Sequence, residues 1–156
     1  MRLYLVQHGE SQPESVSPER ELTPRGRSDV ERLASLLGER AVRVARIVHS
    51  GKTRARQTAE ILAARLAPRI APETLEDINP NDPVAPVADR VRGRTKDTLL
   101  AGHLPFVDRM ATLLVTGREE PPVVAFQPGS AACLERDAAG LWVIDWMLRP
   151  EPLAGR

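Results

Sequence analysis

Cysteine is almost missing from this chain. Cys133 stands alone among 156 residues, which excludes an internal disulfide and any cysteine-rich zinc site and suits a reducing compartment. Net charge is also lacking, because 22 basic and 21 acidic side chains nearly cancel. No global field therefore recruits nucleic acid or an anionic membrane, and any anion binding has to be local. Long hydrophobic runs are absent. The apolar start, Leu3 to Val6, is too short for a signal peptide or a membrane span, and no later stretch is longer. Internal repeats, low-complexity tracts, linkers and obvious metal-ligand spacings are missing too. These absences predict a soluble, untargeted, cytoplasmic protein with no nucleic-acid or membrane partner. With 42% hydrophobic and 28% charged residues, the length predicts one globular domain over residues 1–156.

What is present is an alternation of strand and helix. Leu3 to Val6 reads as a buried parallel strand that stops abruptly at Gln7-His8-Gly9. After a polar loop, Thr23-Pro24 opens an amphipathic helix with Val30, Leu33, Ala34 and Leu37 on one face and Gly38 as its stop. Val44 to Val48 repeats the strand pattern and ends in His49-Ser50-Gly51-Lys52-Thr53-Arg54. A second helix carries Ala55, Thr58, Ala59, Leu62 and Leu66 before Pro68. Residues 72–86 read as a long surface loop, 87–91 as a helical piece and 97–102 as a third strand delivering Gly102-His103-Leu104-Pro105. A helix over 106–115 follows, then two strands, 131–136 and 141–148, joined at Asp137-Ala138-Ala139-Gly140 as a hairpin. The expected fold is α/β, a three-layer α/β/α sandwich with a largely parallel central sheet and ligands outside the carboxyl ends of its strands.

Three histidines occur, and each directly follows an apolar strand. Gly9 beside His8 would let backbone approach a ligand, and His103 lies at a helix start whose N–H groups favour an anion. His49 reads as a structural or rim residue, and Ser130 either as a hydroxyl lining the pocket or as part of a turn. Trp142 and Trp146, at period two, are expected to share a core-facing side.

These residues fall into ordered blocks. Gln7-His8-Gly9-Glu10, Arg20-Glu21-Leu22-Thr23-Pro24-Arg25-Gly26, Ser50 to Ala59, and Gly102-His103-Leu104-Pro105 follow one another over residues 3 to about 110. In that order they resemble the histidine phosphatase superfamily, also called phosphoglycerate mutase-like. The short chain is similar to its SixA-type phosphohistidine phosphatase branch.

The resemblance implies a phosphatase in which His8 attacks phosphorus and becomes a transient phosphohistidine, Arg54 clamps the phosphoryl oxygens and His103 supplies a further donor. No metal and no cofactor are expected. The implied substrate is a phosphorylated protein bearing phosphohistidine, or a small phosphate ester. Candidate leaving-group acids are Asp77, Asp82 and Glu10. The family pattern has arginine before the nucleophile where this chain has Gln7, a neutral amide still able to bond one phosphate oxygen. Arg20 leads the candidates to supply the missing charge, ahead of Lys52 and Arg56, so Gln7 and Arg20 are expected as substrate-binding residues. The rival reading is a noncatalytic phosphate- or phosphoprotein-binding module. A mutase is disfavoured by the absence of a substrate-loop insertion.

Overall fold

A computed structural model describes residues 1–153. The chain order is β1 (Arg2–Gln7), α1 (Pro24–Glu39), β2 (Arg46–His49), α2 (Thr53–Leu66), β3 (Glu73–Thr74), α3 (Ala85–Arg92), β4 (Thr98–Gly102), α4 (Phe106–Thr116), β5 (Ala131–Arg136), β6 (Trp142–Leu148) and α5 (Pro150–Leu153). All six strands join one sheet in the order β3-β2-β4-β1-β5-β6. The first four run parallel, while β5 is antiparallel to β1 and to β6. The fold is thus α/β with a mostly parallel sheet, as the alternation of periods implies.

Alternate residues of the sheet bury opposite faces. Tyr4, Val6, Ile47, Leu99, Ala101 and Cys133 pack against Val30, Leu33 and Leu37 of α1 and Ala59, Leu62 and Leu66 of α2. On the other face Leu3, Leu5, Val48, Leu100 and Leu134 pack against Val87 and Val91 of α3 and Phe106, Met110 and Leu114 of α4. Strand β1 is buried on both sides from Leu3 onward, which is why its sequence is apolar without alternation. No helix among the described residues is long and apolar enough to cross a membrane.

Three expectations need correction. Gly38 does not stop α1, which runs on to Glu39 with Arg40 as its cap, and the left-handed residue that turns the chain is Ala41, at φ 57°. The loop over 72–86 is shorter than expected, since Glu73–Thr74 adds an edge strand and α3 begins at Ala85. Trp142 and Trp146 do not share a face. Cys133 pairs with Trp146 but Leu134 pairs with Ile144, so Asp145 is an extra residue in β6. This bulge reverses the alternation. Trp142 therefore joins the α3–α4 layer, and Trp146 packs on the α1–α2 layer with its ring 5.9 Å from that of Tyr4.

Candidate active site

Because β1, β2 and β4 run parallel, the residues that follow them, His8, Ser50 and His103, emerge at one edge of the sheet. The antiparallel β5 begins at that same edge. The Gln7 N–H donates to the Ser130 carbonyl at 3.1 Å, the Gly129 N–H donates to the carbonyls of Gln7 and His8 at 3.1 Å, and the His8 N–H donates to the Gly102 carbonyl at 3.0 Å. The backbone around His8 is therefore tied to β4 on one side and to the start of β5 on the other. Ser130 is fully buried, and its hydroxyl donates to the Gln127 carbonyl at 2.6 Å, the turn role its position suggested.

The loop after His8 is clamped by close packing. A Cβ on Gly26 would overlap the backbone of Glu10, and one on Gly9 would lie 2.9 Å from the Gly26 carbonyl oxygen and 2.9 Å from Val30 Cγ2. The small size of Gly9 thus admits the first turn of α1. The hydroxyl of Thr23 accepts from the Gly26 N–H at 2.9 Å as the cap of α1 and donates to Glu10 Oε1 at 2.9 Å. Thr58 joins the loop to α2, since its Oγ1 accepts from the Gly9 N–H at 3.0 Å and donates to the Arg54 carbonyl at 2.8 Å. Gln57 Oε1 accepts from the Leu22 N–H at 2.8 Å.

Within this frame the three expected site residues meet. His8 Nδ1 lies 2.7 Å from the Gly9 carbonyl oxygen, so Nδ1 carries the proton and Nε2 keeps its lone pair. Arg54 Nε–H donates to that Nε2 at 3.3 Å. The ring of His103 sits 5.0 Å from the ring of His8, centroid to centroid. His103 is 1% exposed, its Nε2 is 2.6 Å from Ser50 Oγ, and its Nδ1 is buried with no hydrogen-bond partner.

The electrostatics keep both rings neutral at neutral pH. Burial pushes His8 down to about 4, with the Arg54 and Arg20 charges adding to the effect against the upward pull of the Gly9 carbonyl. Burial pushes His103 down to about 3, reinforced by His8, Arg54, Lys52 and Arg20. Arg54 is itself lowered, by burial and then by Arg20, yet an arginine remains a cation at pH 7.

Arg20 is held at φ 49° and donates from Nε to the Gln12 carbonyl at 3.2 Å and from Nη2 to Ser11 Oγ at 3.4 Å. Its charge helps to lower His8, Arg54 and His103, while its own hydrogen bonds go to the loop and, among the described residues, none goes to those three side chains. Arg56 instead pairs with Glu60 at 3.1 Å on the outer side of α2. Gln7 is 7% exposed, and its Oε1 is buried without a donor. Among the three carboxylates considered as acids, Glu10 is held by Thr23, Asp82 Oδ2 accepts from the Asn79 N–H at 2.8 Å and Asp77 pairs with Arg90 at 3.3 Å. No hydrogen bond among the described residues joins any of them to His8, Arg54 or His103.

Ser50 was missed as a site residue, although it opens the block that contains Arg54. The sequence offered no signal for its contact with His103, because that contact depends on β2 and β4 being neighbours. Among the described residues, no group of three or more histidine, cysteine or acidic side chains is placed to hold a metal ion.

Comparison with known proteins fits this arrangement. Residues 3–83, which carry His8, Arg20 and Arg54, match the model of the histidine phosphatase superfamily (branch 1). The chain belongs to that superfamily. A histidine phosphatase similar over nearly the whole length is the phosphohistidine phosphatase SixA of Escherichia coli (strain K12), 26% identical over 155 residues, 96% of this chain and 94% of that one. The structure of the protein histidine phosphatase SixA complexed with tungstate superposes with a TM-score of 0.86 at 26% identity, covering 98% of this chain and 99% of the other. The resemblance that spans the chain is therefore to the SixA type. A phosphoserine phosphatase from Entamoeba histolytica shares the fold, with a TM-score of 0.72 at 14% identity over 96% of this chain and 98% of its own.

Proposed function

We propose that this chain is a phosphatase that hydrolyses phosphohistidine, or a small phosphomonoester, through a covalent phosphohistidine on His8. The observation that carries this reading is the state of His8. Its Nδ1 proton is committed to the Gly9 carbonyl, and its Nε2 lone pair lies beside the Arg54 guanidinium, 3.3 Å from Nε.

In the first step Nε2 forms a bond to phosphorus while the bond from phosphorus to the leaving nitrogen or oxygen breaks on the opposite side. Arg54 turns its donors to the equatorial oxygens, where charge accumulates, and the unpartnered Nδ1–H of His103 donates to another. Arg20 adds positive field where Gln7 gives none. In the second step water attacks phosphorus, the bond to His8 Nε2 breaks, and phosphate leaves with His8 returned to its neutral form. The positive charge comes from guanidinium groups, so turnover is expected without a divalent cation.

None of the three carboxylates is hydrogen-bonded to His8, Arg54 or His103, which favours a leaving group that departs with little protonation. An imidazole of phosphohistidine is such a group, and an alkoxide is not. SixA is a phosphohistidine phosphatase by name, and tungstate, the oxyanion in the matching structure, has the tetrahedral shape of phosphate.

The test is alkali-quenched labelling with a phosphoryl donor, run with phosphate release from phosphohistidine and from an aryl phosphate in the presence of a chelator. Alkali-stable, acid-labile label and turnover that both vanish in His8→Ala are the expected result. Phosphate binding with neither label nor release would instead identify a noncatalytic phosphate-binding module.

A further inference from the structure

The turn that carries Ser50 is fastened from behind. β2 ends at His49, which is 4% exposed, and α2 begins at Thr53, leaving Ser50-Gly51-Lys52 to reverse the chain. Gly51 sits at φ 86°, in the left-handed region, and its N–H donates to His49 Nδ1 at 3.0 Å. A ring on the preceding strand thereby closes the turn. Between the two anchor points lies Ser50, whose Oγ is 2.6 Å from His103 Nε2 and also accepts from the Lys52 N–H at 3.4 Å.

His49 itself has little freedom. It pairs with Thr74 of β3 and Ala101 of β4, and its carbonyl accepts from the Leu75 N–H at 2.8 Å. The charged groups that face it come from α2, Glu60 and Arg56, while its strand neighbours Thr74 and Ala101 carry no charge. Burial lowers its pKa, which keeps the ring neutral and Nδ1 free to accept at neutral pH.

We propose that His49 is a positioning residue, which through the Gly51 N–H holds the turn in the form that sets the Ser50 hydroxyl on His103 Nε2. Ser50 Oγ accepts from the Lys52 N–H and keeps its own proton to give, and in this proposal that proton goes to His103 Nε2. The His103 proton is then fixed on Nδ1, the buried nitrogen that has no partner in the protein. A ring in the other tautomer would present a lone pair to the phosphoryl oxygens and repel them. The inference rests on the reading of His103 as a phosphoryl donor, but the tautomer it predicts can be observed without turnover.

Two isosteric replacements separate this role from packing. His49→Asn places an amide oxygen where Nδ1 stood and keeps the acceptor, whereas His49→Gln places its amide near the Nε2 position and loses it. With an aryl phosphate, His49→Gln and Ser50→Ala are each expected to lower kcat about tenfold with little change in KM, the size of one hydrogen bond lost at the transition state. His49→Asn is expected to stay within about twofold of the parent protein. In the Ser50→Ala background His49→Gln should cost nothing more, since both act through one contact. Nitrogen-15 spectra of the rings should show His103 protonated on Nδ1 in the parent and in His49→Asn, and mixed tautomers in the other two.

Losses that multiply in the double variant, or equal activities for His49→Asn and His49→Gln, would overturn the proposal. So would an unchanged His103 spectrum across the set. If no variant or parent releases phosphate, the proposed hydrolase fails while the spectra still decide this point. If His49→Gln does not fold, the parent spectrum decides: a proton on His49 Nδ1 refutes the clasp, and a proton on Nε2 supports it.

Discussion

A neutral amide at position 7 changes what the neighbouring cations have to do. The family pattern puts an arginine there, beside the nucleophile, and this chain has Gln7, 7% exposed with Oε1 lacking a donor. Across the sheet its partner is Gly102, which has no side chain, so a longer residue at position 7 faces no opposing Cβ. Gln7→Arg is therefore expected to raise kcat/KM by about tenfold to a hundredfold, the difference between a neutral and a charge-assisted bond to the phosphoryl group. If Arg20 compensates for Gln7, Arg20→Ala will cost more in the parent protein than in Gln7→Arg, and kcat/KM for the four corners of that cycle measures the coupling. Equal costs would mean that Arg20 acts independently of position 7. At this scale the sequence showed which side chains have the right chemistry, because His8, Arg54 and His103 each follow the end of a strand. It did not show what holds them. Ser50 meets His103 across 53 positions, and the reason for Gly9 lies in the carbonyl of Gly26, contacts that no local pattern encodes.

Among the elements, the joint between the His8 loop and α1 has no room for a side-chain carbon at Gly26. Gly26 opens the first turn of α1 with its Cα against the backbone of Glu10, and Gly9 meets the carbonyl of Gly26 in turn. Backbone cannot yield as a flexible side chain can. Gly26→Ala is therefore expected to destabilise the protein by about 1–3 kcal/mol or more, through overpacking, and to displace the loop that carries His8. Thr23→Ala, which removes the cap of the same helix without adding volume, is expected to cost only about 1 kcal/mol. Urea unfolding of the two variants, with phosphate release measured on each, separates a loosened helix end from a displaced loop. Helix positions were readable because apolar spacing and the Thr23-Pro24 start are local signals. Helix ends were less so. A glycine near the end of α1 looked like a stop, but the left-handed conformation fell three residues later, on Ala41.

For the whole molecule, the sheet decides both the layering and the pH response. Periodicity implied strands sandwiched between helices, but one extra residue in β6 sent Trp142 and Trp146 to opposite layers, and a single-residue bulge leaves no mark on a short strand pattern. The same sheet buries the histidines at its carboxyl edge. His8 is held down at about 4 and His103 at about 3, and His49 is lowered as well, all first by burial. In the unfolded chain these rings titrate near 6.5. Between pH 6.5 and about 4 the unfolded state therefore binds protons that the folded state refuses. Stability is fully present above pH 6.5 and falls as pH drops through that window, with a slope of roughly 1.4 kcal/mol per pH unit for each excess proton. Urea midpoints should be flat from pH 7 to 8 and decline below 6.5, ahead of the losses that carboxylates cause at lower pH. His103→Gln removes one such group and should shallow the decline. Saturating tungstate should shallow it further in the parent, because a bound oxyanion favours the protonated rings and gives the folded state a way to take up the same protons. A decline unchanged by both would place the acid sensitivity outside this site.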